Sequence, residues 1–233
     1  MSATASSSLA VGLRAGGELA LARLRHRSVP GVVLVSLILA LTAGLVERSF
    51  APTGAADRAL AAAFGWVLPL ATLALFTRVA LRESLSEAVW PVVRFGLPRA
   101  PVVVGLVAVA ALFAAVLGAL LGAAAVLSAS AGHTPAALDA LVSARIGATA
   151  ALAYTGLFAL GSTLLRRGAG RGWLFVLDLL LGGTGTVGVV LPRGHVEGLL
   201  GGVAPFHFAQ IASSGMLLGL ALLFTALAAL RSR

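Results

Sequence analysis

The chain has 233 residues, of which 59% are hydrophobic and only 11% charged, with a mean hydropathy of +1.03. A soluble domain needs about 25% charged residues to face water, so this composition excludes one and makes lipid the solvent for much of the surface. The net charge is +9, and all 17 basic residues are arginine.

The absence of lysine rules out a G-x-x-x-x-G-K-[ST] phosphate loop and a Schiff-base lysine. The absence of cysteine rules out disulfides and thiolate metal sites. The arginines lie between apolar runs with no basic stripe and little aromatic interleaving, which fits a membrane protein and not a nucleic-acid binder.

In chain order, residues 1–8 are small and polar. Residues 9–27 form a modest amphipathic helix, with Leu9, Leu13, Ala20 and Leu24 near one face and Arg14, Glu18 and Arg25 near another. Gly16 and Gly17 are expected to weaken it. Such a segment lies along the cytoplasmic interface, its arginines reaching the headgroups. Residues 1–28 are therefore a cytoplasmic N-terminus, and residues 29–233 a single transmembrane domain. Its expected spans are 29–46, 59–80, 101–127, 143–165, 173–191 and 214–230, which makes the fold an all-α bundle of six transmembrane helices. The first run is an uncleaved span and not a signal peptide, since its polar prefix is long and no clean A-x-A site follows. Pro69 predicts a kink in the second.

Between the second and third spans the apolar pattern breaks at Arg82, Glu83, Glu87, Arg94 and Arg99, with Trp90-Pro91 and Pro98. Ser84-x-x-Glu87 reads as a capping box opening a short helix. The basic turn Arg166-Arg167-Gly168-Ala169-Gly170-Arg171 separates the fourth and fifth spans. With the N-terminus inside, 13 arginines face the cytoplasm and only Arg48, Arg58, Arg145 and Arg193 face outward, so both termini are cytoplasmic.

Several features invite a chemical reading. Gly118-x-x-x-Gly122 and Gly215-x-x-x-Gly219 are helix-packing patterns. Asp178 is the one acid well inside an apolar run. It is either a structural ion-pair partner of Arg171 or Arg167, about two turns away, or a pathway or gating group. His133, His195 and His207 fall on the outer side without the spacing of a metal site. Ser162 has no histidine on the final helix, so an intramembrane serine protease is excluded. Residues 192–213 are too apolar for an ordinary loop, and read either as an interfacial segment or as a re-entrant hairpin closing an outer mouth.

The order of these elements resembles the membrane subunit of ATP-binding-cassette (ABC) transporters of the type-2 export permease family. The resemblance covers essentially the whole chain. It is carried by Gly17-Glu-Leu-Ala-Leu-Ala-Arg23-Leu-Arg-His-Arg27 before the first span, by residues 82–99 ending in Gly96-Leu-Pro98-Arg99, and by Pro192-Arg-Gly-His195-Val-Glu-Gly-Leu-Leu-Gly201 before the last. Many members carry a Gly-Thr pair and a Pro-Val-Ser-Arg-like stretch in the loop between spans two and three, which match only loosely here.

The resemblance implies an N-terminal elbow helix and a coupling helix that docks on a separate ATPase. Arg82, Glu83, Ser84, Glu87, Trp90, Arg94 and Phe95 would then be the contacts. It further implies no cofactor on this chain, ATP and magnesium on the partner ATPase, a second permease copy or sister, and a bacterial inner membrane. The alternatives are a small ion-coupled transporter or channel using Asp178, and a non-transporting membrane or immunity-type protein.

Overall fold

A computed structural model describes residues 2–130, 136–183 and 185–232, and among these the regular elements are all helical. Helix α1 (Ser2–Leu24) leads into α2 (Val29–Phe50). Helices α3 (Ala55–Ala62) and α4 (Leu68–Ala80) run on as one rod through a single π turn, Ala63–Val67. That turn is the consequence of Pro69. Proline has no N–H for the carbonyl four residues back and its ring crowds it, so the preceding turn widens. Leu68 N–H accordingly donates to Ala63 O, five residues back.

Two one-turn helices, α5 (Leu85–Ala88) and α6 (Trp90–Val93), precede α7 (Arg99–Ala129). Then come α8 (Ala136–Gly161), α9 (Gly170–Leu181), α10 (Pro192–Leu199) and α11 (Gln210–Arg231).

Among the described residues, five helices are long and apolar enough to cross a membrane: Val29–Phe50, Ala55–Ala80, Arg99–Ala129, Ala136–Gly161 and Gln210–Arg231. The expected fifth span, 173–191, is not continuous. Helix α9 has 12 residues, roughly 18 Å, against a hydrocarbon core of about 30 Å. Gly182, Gly183, Gly185 and Gly188 follow it, and chain with so many glycines pays the most entropy to stay helical. The polypeptide instead forms a 3-10 turn at Val187–Val189 and the short α10. Helix α8 also starts earlier than expected, at Ala136, so Asp139 lies in its first turn and not in a loop.

Helix α7 is the hub, packing against α1, α2, α8 and α11. Its partners come close because the facing positions are small. A methyl group at Gly16 of α1 would run into the Val102 carbonyl, and one at Gly105 of α7 into the Leu13 carbonyl. The same holds for Gly118 of α7 against the Gly147 carbonyl of α8, and the reverse. In lipid, where apolar side chains gain nothing by leaving the solvent, such backbone contact is what holds helices together.

The expectation that Gly16 weakens α1 is therefore corrected: α1 is helical through it, and Gly16 is where it meets α7. Gly118-x-x-x-Gly122 is a true packing seam, whereas a Cβ at Gly215 or Gly219 would meet nothing within 4 Å. Leu34, Ile38, Leu112, Val116, Leu222 and Leu223 form the outward apolar coat of α2, α7 and α11.

Gly105→Leu should force α1 off α7 and destabilise the protein by about 1–3 kcal/mol or more, whereas Gly219→Leu should be neutral. Size-exclusion profiles and thermal midpoints in mild detergent read this out. Equal midpoints for the two variants would contradict the packing assignment.

Candidate functional site

Helix α4 ends at Leu81, which takes φ 60° and ψ −164°, a conformation that side chains resist. The chain thereby leaves the bundle abruptly and starts α5. Ser84 caps α5 as its spacing predicts. The Ser84 hydroxyl accepts from Glu87 N–H at 3.4 Å, and the Glu87 carboxylate accepts from Ser84 N–H at 2.9 Å. The Ser84 hydroxyl also donates to the same carboxylate at 2.6 Å. These bonds hold the Glu87 carboxyl below the usual glutamate range. The cap consumes Ser84 and part of Glu87, while Arg82, Glu83, Arg94 and Phe95 stay exposed and Trp90 is 53% exposed. Arg94 stacks over Phe95 at 4.9 Å and Arg99 over Trp90 at 5.9 Å.

Three separate elements hold this helix pair. Arg23 of α1 donates to Val79 O at 2.5 Å and to Ala88 O at 2.7 Å, closing the last turn of α4 and that of α5 together. Burial lowers the Arg23 pKa from its ordinary value, the opposing pull coming from Glu83. Leu85 N–H donates to Ser162 O, just beyond α8, at 3.2 Å. Arg171 of α9 donates to Glu83 O at 3.1 Å and to Gly168 O at 2.9 Å. None of these partners was legible from the loop alone. The signal was the surplus of arginines around helix C-termini, where free carbonyls collect.

Asp178 is 2% exposed. The expected ion pair with Arg171 or Arg167 does not form, because Arg171 turns toward the loop and binds the two carbonyls just named. Instead Asp178 accepts from the Tyr154 hydroxyl at 3.0 Å and from Arg193 N–H at 3.2 Å. Arg193 is the second residue of α10, so Asp178 supplies from another helix the acceptor that an N-cap normally supplies locally. Tyr154 is the chain's only tyrosine, buried on α8. The chain's one tyrosine and its one acid inside an apolar run were a pairing the sequence offered.

Asp178 lies eight residues, roughly 12 Å, above the start of α9. The Arg193 guanidinium stands 5.9 Å from the ring of Trp66, itself 14 residues back from the end of α4. The N-terminus of α10 is thus level with the interior of the long helices, not with their ends.

His195 departs from the surface position expected of it. It is 0% exposed; its Nε2–H donates to Val189 O at 2.9 Å and its ring stacks on Phe208. His207 is exposed and His133 lies outside the described residues. Arg193 pairs with Glu197 at 2.8 Å. Among the described residues no cluster of three His, Asp or Glu side chains is placed to hold a metal. No family model, curated protein or solved structure matches the chain.

Asp178→Leu would leave the Arg193 amide and the Tyr154 hydroxyl without an acceptor, at roughly 1–3 kcal/mol each. Tyr154→Phe should cost about 1 kcal/mol and Asp178→Asn a similar amount, since an amide oxygen still accepts. Thermal unfolding in detergent gives the order; an Asp178→Leu shift no larger than that of Tyr154→Phe would remove the capping role.

Proposed function

We propose that this chain is the membrane-spanning subunit of an ABC exporter, driven by an ATPase carried on another chain. The observation that supports it is the α5–α6 pair, a short capped knob tied by hydrogen bonds to α1, to the end of α8 and, through Glu83, to α9, with Trp90, Arg94 and Phe95 facing out. A knob so tied cannot move without moving the helices that hold it, which is what a coupling element has to do. Aromatic and arginine side chains at its exposed rim are the residue types that anchor protein interfaces.

In this reading the arginine-rich ends of the helices are cytoplasmic, α1 is the elbow helix and the membrane is the bacterial inner membrane. Two copies, or this chain and a sister, enclose the pathway. ATP binding closes the ATPases, and the knob passes that motion to the helices as rigid-body rocking. An ion-coupled carrier working through Asp178 would need a carboxylate free to exchange partners. Both oxygens of Asp178 are engaged, one by α10 and the other by Tyr154 of α8, which favours the exporter.

Trp90→Ala and Glu87→Arg should each abolish ATP-driven transport or uncouple ATPase stimulation, with membrane levels of the protein unchanged. Purification from the native membrane in gentle detergent, followed by mass spectrometry, should return a stoichiometric soluble partner with a phosphate-binding loop. Full activity in both variants, or a chain that purifies alone, would overturn the proposal.

A further inference from the structure

The start of α9 is electrostatically unusual. A helix N-terminus carries about half a positive charge and is normally matched by acidic residues. The first turn of α9 has none, and Arg166, Arg167 and Arg171 crowd it instead. Arg167 even adopts a left-handed conformation, φ 54° and ψ 28°, to make the turn. Positive groups around a positive helix end repel one another unless an anion sits among them.

A second observation points to the same place. Arg171 is 5% exposed, and two of its three guanidinium nitrogens bind carbonyls, yet Nη1 is buried without a partner. A charged donor is costly to bury unpaired. Arg171 lines a cleft of about 970 Å³ between α4 and α9, together with Arg82 and Arg167 at one end and Leu73 and Thr77 farther up α4. Leu73 stands seven residues, roughly 10 Å, inside the end of α4. The cleft is therefore charged where the helices end and apolar farther along α4, with Trp90 in its wall. An amphiphile fits that gradient, and a soluble anion uses only its mouth.

Glu83 and Glu87 also line the cleft. Three guanidinium groups against two carboxylates leave one positive charge, which matches a lipid of one negative charge. The carboxylates are acceptors for headgroup hydroxyls. We propose that this cleft binds one anionic phospholipid of the phosphatidylglycerol type, its phosphate between Arg82, Arg167 and Arg171 and an acyl chain along α4. The site does not depend on the exporter reading. Occupied, it adds a bridge between α9 and the loop that carries α5.

The test uses the purified full chain in mild detergent, titrated separately with phosphatidylglycerol, phosphatidylethanolamine, phosphatidylcholine and inorganic phosphate. Native mass spectrometry counts retained lipid, and the thermal midpoint reports stabilisation. Phosphatidylglycerol should be retained in a single copy and raise the midpoint, with affinity at least about tenfold above the other two lipids, the worth of one charge-assisted hydrogen bond. The pair Arg82→Gln and Arg167→Asn should abolish the preference, asparagine being a residue that tolerates the left-handed backbone at 167. Arg145→Gln, a change of an exposed arginine elsewhere, should leave it intact.

Equal retention of the three lipids would overturn the proposal even if the double variant failed to fold. So would a double variant that keeps the preference. A midpoint rise with millimolar phosphate as large as that with phosphatidylglycerol would show a free-anion site in place of a lipid site.

Discussion

Backbone polar groups inside a membrane have no water to turn to, and the Asp178 carboxylate is where this fold meets that constraint. A continuous fifth helix would have satisfied its own amides. Once the helix stops at Leu181, the amides at the start of α10 need an acceptor at a depth where none is free. Asp178 provides it to Arg193, and Tyr154 of α8 fixes the second oxygen, so one carboxylate joins α8, α9 and α10. The buried acid and the broken helix explain each other: each would be costly alone. On α10 itself Arg193 pairs with Glu197 and lies over the ring of Trp66.

The arginines at the opposite end of the bundle close helix ends. Arg23 and Arg171 both give their donors to main-chain carbonyls and not to carboxylates. Carbonyls gather wherever helices end, and a planar guanidinium with several donors can close two ends at once. Lysine would offer a point charge in place of a fork, so it would fit these positions less well. Helix α1, the end of α4 and the start of α9 are joined around α5 by this means, together with the buried side chains of Leu85, Ala88 and Val89.

How much of this was legible follows from the range of the interactions. The long apolar helices and the Ser84–Glu87 cap are local in sequence, and both were readable. The Gly118 seam was readable as a pattern, but Gly16 was misjudged, because propensity penalises glycine in a helix while close packing in lipid rewards it. Hydropathy treats residues 173–191 as one apolar stretch, since glycine scarcely lowers it, and so it concealed the break after Leu181. The partners of Asp178 were invisible because charge suggested Arg171, seven residues away on the same helix. Geometry gave the carboxylate an amide 15 residues on, in an element whose existence depended on that break. His195 was misplaced for the same reason: its burial needs α10, and α10 needs the break.

Helix α9 is the short rigid piece between the two polar centres. At one end Arg171 ties it to Glu83, in the loop that carries α5; two turns on, Asp178 ties it to the first turn of α10. Between them lie roughly 10 Å of helix, continuous through Gly172 and free of glycine from Trp173 to Leu181. On the exporter reading, a push on the α5–α6 knob reaches α9 through the Arg171 guanidinium, which is buried and fixed on the Glu83 and Gly168 carbonyls. It leaves α9 through a carboxylate that α10 cannot lose without stranding an amide. A full-length fifth span would have carried that push past the membrane into an outer loop. The truncated one delivers it to α10, at the level of Trp66, where the cleft beside Arg193 opens toward the other side. The break that costs the fold a transmembrane helix is, on this argument, what places a short helix among the long ones and joins it through α9 to the α5–α6 knob.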